Sequence, residues 1–247
     1  MKTIKFERAA IGLPFALLSA FAAVSGWPRG WVLLWVVVAA VAAGAAAEAS
    51  HVLRKRLNGW VHWVAGLCLG LAPVGVWAAA RGGVGMAPVL LGGALLFWTA
   101  GFDLMAACAD IASDREQGVF TVPARWGARK AALMSSGSHL VAFWLLAIFG
   151  EVAGLGWLYL SGVILLVPVV YVMHRLGAPE TKSVYQNRLP SAIRTTYVSP
   201  EAGAGGSDSG SKGQRKIAWL PAAAVLGVVL LLFAAADVIV VGSRMRF

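Results

Sequence analysis

Charge is scarce in this 247-residue sequence: 13% of the residues are Asp, Glu, Lys or Arg, and only eleven are acids. Soluble domains carry roughly a quarter, so an ordinary water-facing surface is excluded. Cysteine is scarcer still, with only Cys68 and Cys108, and no disulfide framework is implied. The sequence has no P-loop, no G-x-S-x-G and no H-E-x-x-H. Phosphate-cradling loops, serine-hydrolase elbows and zinc-protease helices are therefore not its chemistry. No internal repeat is evident.

Apolar residues fill the space, at 59% of the chain with a mean hydropathy of +0.75. Repeated apolar runs near or beyond 18 residues read as membrane spans. Seven are present, near 9–27, 31–50, 58–80, 84–107, 131–150, 154–173 and 217–242. The expected fold class is all-α integral membrane: a bundle of about seven transmembrane helices. Lys2, Lys5, Arg8 and the triplet Ala20–Phe21–Ala22 give the first run a signal-peptide look. Its length, and the spans that follow at once, favour a membrane helix. Residues 177–216, with "SPEAGAGGSDSGSKGQRK", are too polar and Gly/Ser-rich to bury a core. The expected organisation is a helical body over 1–176, a flexible polar loop over 177–216, and a last helix and tail over 217–247.

Basic residues orient the bundle, because Lys and Arg accumulate in cytoplasmic loops. With a cytoplasmic N-terminus, 17 of the 21 fall on that face, leaving Arg29, Arg81, Arg244 and Arg246 opposite. Topology and anionic lipid then account for the net charge of +10 without a nucleic-acid partner. Trp27, Trp31, Trp60 and Trp157 sit at span ends as interfacial anchors. Gly66 and Gly70 have the spacing that lets helices approach closely, and Pro73 lies just beyond. His62 and His139 lie in apolar helices and read as hydrogen-bonded packing.

Four of the eleven acids crowd into "GFDLMAACADIASDRE", residues 101–116. At about 100° per residue, Asp103, Asp110 and Asp114 fall within about 40° of one another on an unbroken helix, along about 16 Å. Like charges in such a row repel, and an acid within the bilayer is unfavourable unless paired. A cation should visit: Mg²⁺ is usually shared between one or two carboxylates and a substrate's phosphates. The bland alternative is that Asp114, beside Arg115 and Glu116, is a solvated helix end.

"GFDLMAACADIASDREQGVFTVPARWG" (101–127) resembles the second aspartate-rich motif of UbiA-type prenyltransferases, D-x6-D-x3-D followed by a P-A-R-[FW]-G tail. "FERAAIGLPFALLSAFAA" (6–23) and "KRLNGWVHWVAGLCLGLAPVGVWAA" (55–79) are similar to that family's first helix and to a helix entered through a Lys-Arg pair. The resemblance runs over roughly 5–176 and is closest to the bacterial ubiquinone and menaquinone branch. It implies a helical bundle, usually of nine helices, around a cavity open to the cytoplasmic side of the inner membrane. It also implies transfer of a polyprenyl group from polyprenyl diphosphate to an aromatic quinone precursor of hydroxybenzoate or naphthoate type, with Mg²⁺. By position, Asp103, Asp110 and Asp114 would be catalytic metal ligands, and Arg125, Lys55 and Arg56 would hold the diphosphate.

The departures from the family are specific. The first motif, N-x3-D-x3-D, is replaced by "AAAEASHVLRKRLNGW" (45–60), with His51 about where the Asn belongs. Glu48 is the only acid near that place. The next two helices of the family are missing, which turns nine into seven and preserves sidedness. The motif's tyrosine is Ala106, and the family's E-H-R-L reads "MHRL" at 173–176. Losing an electrostatic stabiliser of a leaving group commonly costs a hundredfold or more in rate. A degenerate homologue that binds prenyl or quinone lipids, or serves another subunit, is therefore the second expectation. A small transporter using intramembrane acids is the third.

Overall fold

A computed structural model describes residues 4–52, 57–177 and 224–238, and every regular element among them is helical. The long helices are α1 (Ile4–Val24), α2 (Gly30–Val52), α3 (Val61–Arg81), α4 (Met86–Ala107), α7 (Ala128–Val152) and α8 (Trp157–Gly177). Two short helices, α5 (Ile111–Glu116) and α6 (Val122–Trp126), join α4 to α7. The last helix, α9, is Ala224–Val238. Five of these, α2, α3, α4, α7 and α8, are long and apolar enough to cross a membrane. The apolar parts of α1 (Ala9–Val24) and α9 are shorter. The chain is an all-α integral membrane protein, and the seven expected spans correspond to five full-length helices and two shorter apolar ones. The expected 177–216 loop, with residues 217–223 and 239–247, lies outside the described residues apart from Gly177 itself.

The helices have an inside-out division of surface. On α2, Leu34, Trp35, Val37, Val38 and Val41 are exposed while Val32 and Val36 are buried. In water that outward face would be untenable; in lipid it is solvated by acyl chains. Inward-facing Phe15, Leu69, Leu91, Leu95, Trp98, Leu146 and Phe149 form the core. α3 and α4 lie antiparallel, and Gly66 packs on the Leu96 carbonyl as Gly70 packs on that of Gly92. A Cβ at either glycine would displace backbone, so the Gly66/Gly70 spacing works as expected from the sequence. Pro73 accepts a hydrogen bond at its carbonyl from Ser19 Oγ at 2.6 Å, tying α1 to α3.

α9 is fixed by an acid. Asp237, 4% exposed, accepts hydrogen bonds from the backbone N–H groups of Gly156 and Leu158. These are donors at the start of α8 that have no intrahelical partner, so α9 caps α8 from the side. Tyr159 Oη donates to the Leu146 carbonyl at 3.0 Å and holds α8 against α7.

Candidate active site at the aspartate end of the bundle

α4 carries Asp103 about one turn before its end. The helix does not continue through the other two acids. It stops at Ala107, a 3₁₀ turn occupies Cys108–Asp110, and α5 begins afresh with Asp110 at its N-cap. A 3₁₀ turn has three residues rather than 3.6, so the rotation that aligns the acids on one helix no longer applies. The single continuous helix expected through the three acids is corrected to a helix, a 3₁₀ turn and a second short helix.

Asp103 Oδ2 lies 2.7 Å from His62 Nδ1 on α3, across 41 residues of sequence. An ionised carboxylate only accepts, so Nδ1 carries the hydrogen and donates. Asp110 is half-buried at the junction of the 3₁₀ turn and α5. Asp114 is buried, and its Oδ2 accepts from Thr121 Oγ1 at 2.9 Å.

Most of the signature after Asp114 builds the turn that makes this possible. Gly118 and Gly127 have φ of 66° and 85°, a region that favours glycine. Thr121 is the N-cap of α6, its Oγ1 accepting from Ala124 N at 3.4 Å. Pro123 follows in the first turn, where its missing N–H is not needed. Arg115 Nε donates to the Ala124 carbonyl at 2.9 Å and closes the loop. Below it, Leu104, Val122 and Ala131 form a small core with Trp63, Cys108 and Met134 packed on it. Cys108 Sγ donates to the Leu104 carbonyl, and burial pushes its thiol up to about 11. It is a neutral packing group at physiological pH.

Arg125 points outward, its guanidinium 5.7 Å from the Trp126 ring centre. It borders two clefts. One, of about 680 Å³, is shared with Arg115, Gly118 and Phe120. The other, of about 330 Å³, is walled by Trp60, Trp63, Phe120, Trp126 and Met134. Lys55 and Arg56 lie outside the described residues. Glu48 lies near the end of α2.

The donor chemistry suits a hard cation, but a three-carboxylate cage does not form. Among the described residues, no three His, Cys, Asp or Glu side chains come together as a metal site. The sequence reading treated both buried histidines as packing, and for His139 the structure shows a packed ring. It lies on Gly101, edge-on to Phe102 at 4.5 Å, with Nδ1 3.0 Å from the Ser135 carbonyl and from His174 Nε2. His62 is different, because its partner is a proposed site residue. No local pattern signals that pairing; the one available hint was a membrane-embedded Asp103 that needed compensation.

The bundle thus carries Asp103, Asp110, Asp114 and the exposed Arg115 and Arg125 along one stretch that starts at the end of α4. Residues 7–188 match the UbiA prenyltransferase family, and the chain belongs to it. The fold is similar to that of a solved protein, described as the apo structure of a UbiA homolog from Aeropyrum pernix K1. The two share 18% identity at a TM-score of 0.55, over 97% of this chain and 99% of that one. No curated protein sequence matches the chain.

Proposed function

We propose that the protein transfers a polyprenyl group from polyprenyl diphosphate to an aromatic quinone precursor of hydroxybenzoate or naphthoate type. The observation that carries this reading is the family match over 7–188, joined to the folded aspartate-to-arginine segment at one end of the bundle. Under it, that end faces the cytoplasm and the chain sits in a bacterial-type inner membrane, supplying ubiquinone or menaquinone synthesis. Prenyltransferases of this family are generally Mg²⁺-dependent. Here Asp110 and Asp114 would hold the ion with the diphosphate oxygens, since a carboxylate already accepting one hydrogen bond keeps further lone pairs. Bound there, the ion would neutralise charge on the departing diphosphate. Arg125, with Lys55 and Arg56, would contribute fixed positive charge to the same group.

The test is binding of a non-hydrolysable prenyl diphosphate analogue to purified protein, with and without Mg²⁺, for wild type and Asp110→Asn. Micromolar binding that needs Mg²⁺ and drops at least tenfold in the variant is the expected result. Absence of Mg²⁺-dependent binding by the wild type would overturn the reading and leave a non-enzymatic lipid-binding homologue in its place.

A further inference from the structure

Trp98 and Phe102 face the interior of the bundle. Trp98 lies 6.1 Å from Phe15 on α1, and Phe102 packs on His139 of α7. Leu104 is two residues beyond Phe102, about 200° further around α4, and turns to another side. With Val122 and Ala131 it makes the small core beneath α6, and Trp63 and Met134 pack on that core. α6 therefore sits on the side of α4 turned away from α1, outside the main core. It also sits at a membrane boundary, because residues 108–127 link two spanning helices.

Two clefts open beside α6, and they differ in character. The one of about 330 Å³ is walled by Trp60, Trp63, Phe120, Trp126 and Met134. Trp60, Phe120 and Trp126 are exposed. The one of about 680 Å³ is bordered by Arg115 and Arg125. Phe120 and Arg125 line both, so the clefts adjoin. No Asp or Glu is among the described residues that line either. Arg115 is fixed in place by its Nε bond to the Ala124 carbonyl, which uses only one of its N–H donors. Arg129 and Lys130 are exposed on the first turn of α7, three and four residues past Trp126.

An aromatic cleft joined to a cationic one fits a ligand with an apolar chain and an anionic head. Tryptophans and basic residues gathered at one membrane boundary attract lipid of that kind. We propose that the two clefts form one site for an anionic phospholipid. An acyl chain lies in the aromatic cleft, and the phosphodiester meets Arg115. Arg129 and Lys130 add positive charge around the headgroup. Arg125 borders the site but belongs to the diphosphate in the reading above, and the lipid does not require it. The inference goes beyond that reading and uses neither the aspartates nor Mg²⁺.

The experiment counts bound lipid by native mass spectrometry of the full chain in detergent. Phosphatidylglycerol and phosphatidylcholine with identical acyl chains are titrated separately. Wild type is expected to prefer phosphatidylglycerol by about fivefold or more, the effect of one cation near the headgroup. Arg115→Gln, and separately Arg129→Gln,Lys130→Gln, should lower that ratio, whereas Arg29→Gln at the opposite end should not. Phe120→Ser should weaken both lipids alike and leave the ratio close to that of wild type. Inorganic phosphate should not displace the lipid, because it brings no chain. A wild-type ratio near one overturns the proposal without needing any variant to fold. So does an equal fall in Arg29→Gln, which would mean that net charge alone attracts the lipid. Unchanged affinities in Phe120→Ser, or displacement by inorganic phosphate, would take the chain out of the cleft and overturn it too. Displacement by the prenyl diphosphate analogue without Mg²⁺ would assign the clefts to the donor; this inference then falls and the prenyltransferase reading stands. A lipid preference that survives while the analogue never binds would support the lipid site and remove the prenyltransferase reading.

Discussion

Asp237, at one end of the bundle, is held by backbone N–H groups of Gly156 and Leu158, whereas Asp103, towards the other, is held by the imidazole of His62. Both are acids in apolar helices, and both have charge-assisted partners, as burial requires. The partners differ in kind. Backbone donors at a helix start are fixed by the fold, cannot titrate and have no second valence to offer. An imidazole has a second nitrogen, and in His62 that nitrogen is buried without a partner among the described residues. The Asp237 contact therefore fastens α9 and ends there. The Asp103 contact fastens α3 to α4 and leaves a polar atom of the imidazole sealed beside it. Membrane acids divide by what their partners can still do.

Removing partners sharpens that contrast. His62→Ala leaves a carboxylate at Asp103 without its imidazole, and breaking a buried pair in this way costs about 3–5 kcal/mol. The expected outcome is the largest fall in melting temperature of the set, followed through tryptophan fluorescence in detergent. His62→Ala,Asp103→Leu should recover much of that loss, because it deletes both polar groups. A double variant no more stable than His62→Ala would show that the pair is not what Asp103 depends on.

At the opposite end, Asp237→Ala removes a charged acceptor from two backbone donors, worth about 2 kcal/mol. Binding of the prenyl diphosphate analogue should be unaffected in the variant that remains folded. A loss of binding equal to that of Asp110→Asn would erase the distinction between the two ends. The smallest effect is expected at Thr121. Thr121→Ala removes the α6 cap and the contact to Asp114, at about 1 kcal/mol, while Thr121→Ser keeps both. Equal melting temperatures for the Ala and Ser variants would show that the hydroxyl does not hold this turn.

Thr121 also shows how much of the site was legible. The spacing of Asp114, Gly118, Thr121, Pro123 and Gly127 can be read as a turn and a capped helix, because caps, prolines and positive-φ glycines act over four or five residues. The run of α4 into Asp110 and Asp114 looked like one helix for the same local reason. Nothing in "LMAACADIAS" breaks a helix by composition, and the 3₁₀ turn at Cys108–Asp110 accompanies packing of Cys108 beside Leu104, Val122 and Ala131. Asp237 was equally visible as an acid in an apolar run, but its target is about eighty residues away in sequence.

That the chain is helical and lives in a membrane follows from local composition, since segment length and apolarity are sums over neighbouring residues. The family is equally legible there, through a signature whose residues mostly build one local turn. The partners of the inward acids come from helix packing: His62 for Asp103, Thr121 for Asp114 and the start of α8 for Asp237. In a low-dielectric interior a carboxylate is governed by what lies within about 3 Å of it, and that distance is set by helix packing rather than by position along the chain.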